Sequence, residues 1–364
     1  MKPIEIARKL DFVRMSGTDG EKKGREIILN YLKQLNIPYE IESFKHFSYQ
    51  VGKAYLQCRD IDFPAVPFGI NPDAKVKGEL VFLENLNRIK HNRGAYEGKI
   101  VMSYRVGRGL MNRLKSEKIK GFIAVTPPYK KVTTSSHRQK LYEDSKYIPS
   151  ITVSYNTAVE LKKMAGEEVS IQIKQKVEKR KGYNIIANIP AKQMDKNIIY
   201  AMGHYDTVGR SPGACDNTGG CIALLKAAEY FSNHKPDRNI KIIFFSGEEL
   251  GLLGSFDYVR QHKEEIKQYG GIVVNVDVSG DDIGQDIYRI IGNKNLLGYI
   301  DGISKENGLL FNSSLNIYSS DCMPFAVYEI PAVNIPVLVE KLPTIPILPM
   351  ISLIILPVMV FKTL

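Results

Sequence analysis

The chain has little cysteine and its few thiols are scattered. Among 364 residues the four cysteines are Cys58, Cys215, Cys221 and Cys322, and no two form a CxxC pair. Such spacing suggests no disulfide framework and suits a reduced, cytoplasmic compartment. Tryptophan is absent, which excludes nothing. The first residues, Met1-Lys2-Pro3-Ile4-Glu5, lack the apolar core of a signal peptide. There is no block of like charge. The net charge of +11 comes mostly from lysines spread among acids, which reads as a solvated surface and not as a nucleic-acid interface. Apolar runs long enough to span a bilayer are lacking except for Leu342 to Phe361. That stretch holds Pro343, Pro346, Pro349 and Pro357, which a membrane helix tolerates poorly, so no membrane partner is expected.

What is present is a globular composition, 44% hydrophobic and 24% charged, in a chain long enough for two domains. Ile4 to Phe12 and Arg25 to Leu35 show helical apolar spacing, and Tyr39 to Phe44 alternates like a strand. From residue 50 to 176 the texture changes to short strands and turns. Strands are expected at 78–83, 99–103, 121–125 and 148–153, with helices at 111–118 and around 158–161. The basic cluster Lys174 to Lys181 reads as a linker. From Tyr183 onward, apolar strands at 183–189, 197–202, 240–245 and 271–277 alternate with helices at 219–231 and 252–262. The expected fold class is therefore α/β, with a mixed, mostly parallel sheet flanked by helices and an inserted β-rich α+β domain. The expected divisions are 1–49, 50–176, 177–335 and a tail at 336–364.

Candidate ligands gather where the strands of the second half end, which is where such sheets bind ligands. His204 follows Ala201-Met202-Gly203, and Asp206 stands two residues on, placed to hold the imidazole ring. Asp216 sits in the glycine-rich turn Pro212 to Gly220. Glu248 and Glu249 follow the strand Ile240 to Phe245, and Asp277 closes the strand Ile272 to Val276. Taken singly, each has an ordinary explanation: a satisfied histidine, a helix N-cap, a turn former, a helix start favoured by the dipole. In order within one α/β unit they form an oxygen-and-imidazole set suited to zinc or a similar divalent ion. Two adjacent carboxylates also allow one to bind metal while the other takes a proton from water. His91 and His137 are isolated and read as surface histidines.

The runs Gly203-His204-Tyr205-Asp206-Thr207-Val208, Gly213 to Gly220, Ser246 to Ser255 and Asn275-Val276-Asp277 resemble the co-catalytic zinc aminopeptidase family. That family includes bacterial leucyl aminopeptidases, glutamate carboxypeptidases, glutaminyl cyclases and the transferrin receptor ectodomain. The resemblance covers residues 183–335 directly. Residues 1–45 resemble the N-terminal helices of the same fold, and 50–176 more weakly resemble an inserted protease-associated domain. The resemblance implies a zinc metallopeptidase with two divalent ions, zinc first, bridged by Asp216. His204 and Asp277 would complete one ion, Glu249 would serve the other, Glu248 would be the general base, and Asp206 would orient His204. Asn217 matches a position at which the family carries a strained peptide bond. An aminopeptidase acting on peptides is the leading expectation. Carboxypeptidase or glutaminyl cyclase chemistry, or a non-catalytic scaffold, are the alternatives, and a homo-oligomer is left open. Asp321 is a candidate for holding the substrate's α-amine.

The resemblance breaks near the end. The family's last ligand is a histidine in a His-Thr-Pro-x-Asp-like motif, whereas the last histidine here is His262. From Pro336 the chain turns to Pro, Ile, Leu and Val. If the codons for Val337 to Ile351 are read one nucleotide earlier, permitted synonymous codons spell Ser-Phe-Gly-Gly-Lys-Ala-Ser-Tyr-Tyr-Ser-His-Thr-Pro-Asp-Asp. The final Asp is forced, because methionine has a single codon. The expectation is a one-nucleotide frame change near Ile335 and Pro336, leaving the Glu249-side ion without its imidazole.

Overall fold

The computed structural model describes residues 2–84, 94–104, 108–128, 132, 147–193, 196–277, 287–306, 308, 312–317 and 319–335. The expectations for His91, His137 and the 336–364 tail lie outside these residues. The chain opens with helices α1 (Pro3–Lys9) and α2 (Asp19–Gln34) and strand β1 (Tyr39–Tyr49). Next come β2 (Lys53–Cys58), β3 (Ile61–Phe63), β4 (Val66–Pro67), β5 (Ala74–Phe82), β6 (Ile100–Ser103), α3 (Arg108–Ser116), β7 (Gly121–Val125), β8 (Ser150–Val153), α4 (Tyr155–Lys163) and β9 (Glu168–Lys174). The second half runs β10 (Val177–Ile189), β11 (Ile198–His204), an irregular turn at Ala214–Thr218, α5 (Gly219–Asn233), β12 (Asn239–Phe245), α6 (Leu253–Gln261), α7 (Lys263–Tyr269) and β13 (Gly270–Val276). It ends with β14 (Ile287–Ile291), α8 (Lys294–Glu306), β15 (Asn312–Leu315), α9 (Met323–Ala326) and β16 (Ala332–Ile335).

These elements form two compact units. One comprises residues 1–45, 181–207 and 211–364, and the other 46–180 with 208–210. The first is built on an eight-stranded mixed sheet in the order β1-β10-β12-β11-β13-β16-β14-β15. Its centre is parallel: β11 pairs with β12 and with β13, and β13 pairs with β16. The pairings β10–β12 and β14–β16 are antiparallel. Every residue of β11 is buried, because both faces of the sheet are covered. On one face Ile199 and Ala201 pack with Ile28 and Leu32 of α2 and Leu224 and Ala228 of α5. On the other, Ile198, Tyr200 and Met202 meet Tyr258 of α6, Ile266 of α7 and Phe325 of α9. This double cover explains the uninterrupted apolar runs in the sequence. The fold class is thus the expected α/β arrangement.

The second unit carries its own eight-stranded mixed sheet, ordered β3-β2-β9-β5-β6-β7-β8-β4. β5, β6, β7 and β8 run parallel, and β9, β2 and β3 follow β5 in antiparallel pairings. One reading from the sequence is corrected here. Lys174 to Lys181 is not a linker: Lys174 ends β9 and residues 177–181 begin β10. The first residues of β10 are partly or fully exposed, so their lysines stay solvated while the backbone continues the strand.

Candidate metal centre

The parallel order β12-β11-β13 brings three strand ends to one edge of the sheet. His204 is the last residue of β11 and pairs with Phe245, the last of β12. Met202 pairs with Asn275, so two residues further on the register aligns His204 with Asp277. The side chains converge accordingly. His204 Nε2 lies 2.9 Å from Asp216 Oδ1 and 3.2 Å from Asp277 Oδ1. Ligand atoms of His204, Asp216 and Asp277 all lie within 4.8 Å of one another. Asp216 reaches this point from the irregular turn before α5, where the Asp216–Asn217 peptide is cis. Asn217 anchors that turn: its side-chain amide donates to the Val276 carbonyl at 2.8 Å and its oxygen accepts from Gly220 N–H at 3.1 Å.

The other ring nitrogen of His204 faces Asp206. Nδ1 is 3.1 Å from the Asp206 backbone oxygen and 3.5 Å from its Oδ1. The main-chain carbonyl is therefore the nearer partner of the ring, and the Asp206 carboxylate also accepts the Glu248 N–H at 3.2 Å. Asp206 thereby joins the β11 end to the Glu248-Glu249 turn. That turn needs positive φ at Gly247 and Gly251, a conformation favoured by glycine. Asp277 is held from behind: the Ser320 hydroxyl donates to its Oδ2, and the Asn275 amide donates to Ser320 Oγ and Asn334 Oδ1.

The electrostatics describe a site built around positive charge. Burial, followed by repulsion from Asp277, Glu249 and Asp321, raises the Glu248 pKa well above the usual carboxylate range against the pull of His204. Glu249 is raised in the same way, by burial and then by Asp216. Burial and neighbouring carboxylates push fully buried Asp321 up to about 7. Burial alone would lower the His204 pKa, but Asp206, Asp216, Asp277 and Glu248 more than offset it and raise it well above the ordinary value. So many carboxylates crowded around one imidazole repel one another unless a cation sits among them. The donor set fits a divalent ion on its chemistry: an imidazole nitrogen and carboxylate oxygens converging on one point.

Of the residues singled out in the sequence, the structure brings His204, Asp216 and Asp277 together and links Asp206 to His204 and to the Glu248 N–H, whereas Glu248 and Glu249 stand in the turn after β12, outside that group of three. Sequence reasoning did not find Ser320 and Asn334 behind Asp277, nor Arg14 and Glu21 behind the β11 end. Ser320 stands beside Asp321, which the sequence did single out. The last two stand far upstream, with no spacing signal to mark them.

Residues 184–346 match the profile of peptidase family M28. The chain is 27% identical over 274 residues to aminopeptidase YwaD of Bacillus subtilis (strain 168), covering 73% of this chain and 58% of that protein. The chain thus spans somewhat over half the length of this curated relative. Among solved structures, the aminopeptidase from Aneurinibacillus sp. strain AM-1 superimposes with a TM-score of 0.69 at 22% identity, covering 97% of this chain and 90% of that one. A zinc aminopeptidase from Bacillus subtilis gives a TM-score of 0.71 at 21% identity, with 92% and 84% covered. These structures share the fold of both sheets and their helices. The ordered constellation described above thus lies within the segment, 184–346, that is similar to peptidase family M28.

Proposed function

We propose that this chain is a metal-dependent exopeptidase, an aminopeptidase that hydrolyses the N-terminal peptide bond of a peptide. The observation that carries the reading is the convergence of His204, Asp216 and Asp277 next to the Glu248-Glu249 turn. His204 and Asp277 would hold one divalent ion, Asp216 would bridge, and Glu249 would hold a second. Zinc is the expected metal, in line with the described chemistry of the similar Bacillus subtilis structure. When bound, the ions would polarise the scissile carbonyl and acidify the attacking water.

The remaining work falls to the chain's own groups. Glu248 accepts a proton from the attacking water at its carboxylate and returns it to the leaving amine nitrogen. The burial that raises its pKa makes it a better proton acceptor than an exposed glutamate. Asp206 fixes the His204 ring through Nδ1, keeping Nε2 turned toward Asp216 and Asp277. The excess of carboxylates favours a substrate whose free end is an ammonium over one whose free end is a carboxylate. Asp321, buried beside them, is the proposed partner of that ammonium. The unit inserted between β1 and β10 is read as protease-associated-like, which its position and mixed sheet support.

The test is a zinc-loaded preparation assayed against aminoacyl anilides, N-blocked dipeptides with a free C-terminus, and peptides beginning with Gln. Cleavage of the anilides that a chelator abolishes and zinc restores is the expected result. Preferential cleavage of N-blocked dipeptides, cyclisation of the Gln peptides alone, or turnover indifferent to chelation would each replace this reading.

A further inference from the structure

Arg14 carries none of the candidate ligands and lies in the loop between α1 and α2, yet it is fully buried. Among the described residues its hydrogen-bond acceptors are neutral. Nε donates to the Tyr205 carbonyl at 2.8 Å. One terminal nitrogen donates to the carbonyls of Leu10, Phe12 (3.1 Å) and Pro212 (2.9 Å). The other donates to Thr218 Oγ1 at 2.9 Å. The backbone repeats the link: Arg14 N–H donates to Thr207 Oγ1 at 2.9 Å, and Thr207 N–H to the Arg14 carbonyl at 3.3 Å.

The identity of these acceptors matters. Tyr205 and Thr207 flank Asp206 and directly follow His204. Pro212 and Thr218 bracket the turn that carries Asp216. One guanidinium therefore ties together the two segments whose side chains meet at 2.9 Å between His204 and Asp216. Tyr205 is secured a second time, its hydroxyl lying 2.9 Å from Glu21 Oε1 and 2.8 Å from the Tyr183 carbonyl. The fold also reserves room for the arginine stem. A Cβ on Gly24 of α2 would come within 2.7 Å of Arg14 Cδ.

We propose that Arg14 is a positioning residue for the metal centre: by bonding Tyr205, Pro212 and Thr218 at once, it sets the separation of His204 and Asp216 before an ion arrives. A lysine could not replace it, because a single ammonium cannot reach acceptors on two segments that the planar, multi-donor guanidinium spans. The positive charge also lies near Asp206. Burial holds the Arg14 pKa below its ordinary value, against the pull of Cys221, Asp206 and Asp11. Removing the clamp leaves buried carbonyls unpaired and lets the two ligand segments drift, so binding an ion must first bring them back together.

The proposal rests on the metal reading above, and its test reads metal affinity directly. Zinc binding to the full chain is measured by competition with a chromogenic chelator, with folding followed by circular dichroism and urea unfolding. Arg14→Lys is expected to bind zinc about 10–100-fold more weakly than wild type, and Arg14→Ala to regain affinity when guanidinium ion is added. Leu32→Ala, which empties a fully buried position of α2 in the core beside β11 and removes no hydrogen bond to either ligand segment, is expected to lose stability and keep its zinc affinity. A folded Arg14→Lys that binds zinc as tightly as wild type overturns the clamp, as does a Leu32→Ala loss of affinity equal to that of Arg14→Lys. If the Arg14 variants do not fold, Thr218→Val removes one acceptor alone and is expected to weaken zinc binding several-fold; unchanged affinity there overturns the proposal. Wild-type protein that takes up no zinc removes the metal reading and the clamp with it. Wild type that binds zinc, alongside variants that bind it equally well, removes the clamp only.

Discussion

Glu248 and Glu249 are adjacent in the chain but answer to different neighbours. The charges that act on Glu248 are led by His204 and then Asp277, whereas Asp216 leads for Glu249. That separation supports dividing their labour into base and ligand. Glu248→Gln removes the proposed proton acceptor and is expected to lower kcat about 10²–10⁴-fold with zinc content unchanged, checked by elemental analysis beside the assay. Behind the site, burial raises the Glu21 pKa, against hydrogen bonds from Gly17, Ser246, Tyr205 and Tyr183. Its folded form therefore keeps the proton to higher pH than its unfolded form. The stability linked to this group is fully present below the ordinary glutamate pKa and is lost as pH rises through the raised folded value. In urea unfolding, the wild-type profile minus that of Glu21→Gln should fall across this window and flatten above it. A difference that rises with pH would reverse the assignment. The ligands were legible in the sequence because the chemistry demands particular residue types where strands end. Arg14 and Glu21 were not, because the partners that tie them to the site are peptide groups and hydroxyls more than 150 positions away in the chain, as with Arg14 and Tyr205, separated by 191.

The elements that position the site were legible where burial is complete. β11, β12 and β13 appeared as apolar runs because both faces of the sheet are covered, and their observed limits differ from expectation by at most two residues at either end. β2 and the start of β10 were missed because few of their residues are buried, whereas β9 does alternate, with Val169, Ile171 and Ile173 buried between more exposed neighbours, and was legible on that pattern although it was not among the expected strands. Turn chemistry between elements is the other determinant. α6 leaves the Glu248-Glu249 turn through Gly254, whose carbonyl accepts from the Asn184 side chain at 3.0 Å. A Cβ there would stand 2.3 Å from the Ser246 carbonyl oxygen and 2.4 Å from Asn184 Oδ1. The backbone oxygen cannot simply rotate aside, so Gly254→Ala must displace the strand-to-helix junction. The expected cost is about 1–3 kcal/mol in urea unfolding, with a fall in turnover because the two glutamates move with the junction. A variant as stable as wild type would show that this close approach is not a constraint.

At the scale of the whole chain, the sheet itself argues for a ligand beyond its last strand. β16 is the next parallel neighbour of β13, and its final residue, Ile335, pairs with Val276, the residue immediately before Asp277. β16 therefore ends level with the strand ends where His204 and Asp277 converge. The M28 match continues past this point to residue 346, although the residues from Pro336 onward offer no imidazole or carboxylate except Glu340. The shifted reading frame supplies a histidine eleven codons into the stretch that begins at Val337, and on the proposed reading it is the missing ligand of the ion that Glu249 would serve. Replacing residues 337–351 with the shifted-frame sequence is expected to raise bound zinc from about one to about two ions per chain. Turnover of aminoacyl anilides should rise by about 10²-fold or more, since a two-ion site holds both the attacking and the departing atoms. Ile347→His alone, in the apolar context of the tail, tests the imidazole apart from its surroundings and should restore less. Zinc content and turnover that stay at the parent level in the replaced chain would mean that Glu249 does not depend on an imidazole from this segment, and that the chain works with the ligands gathered at the ends of β11, β12 and β13.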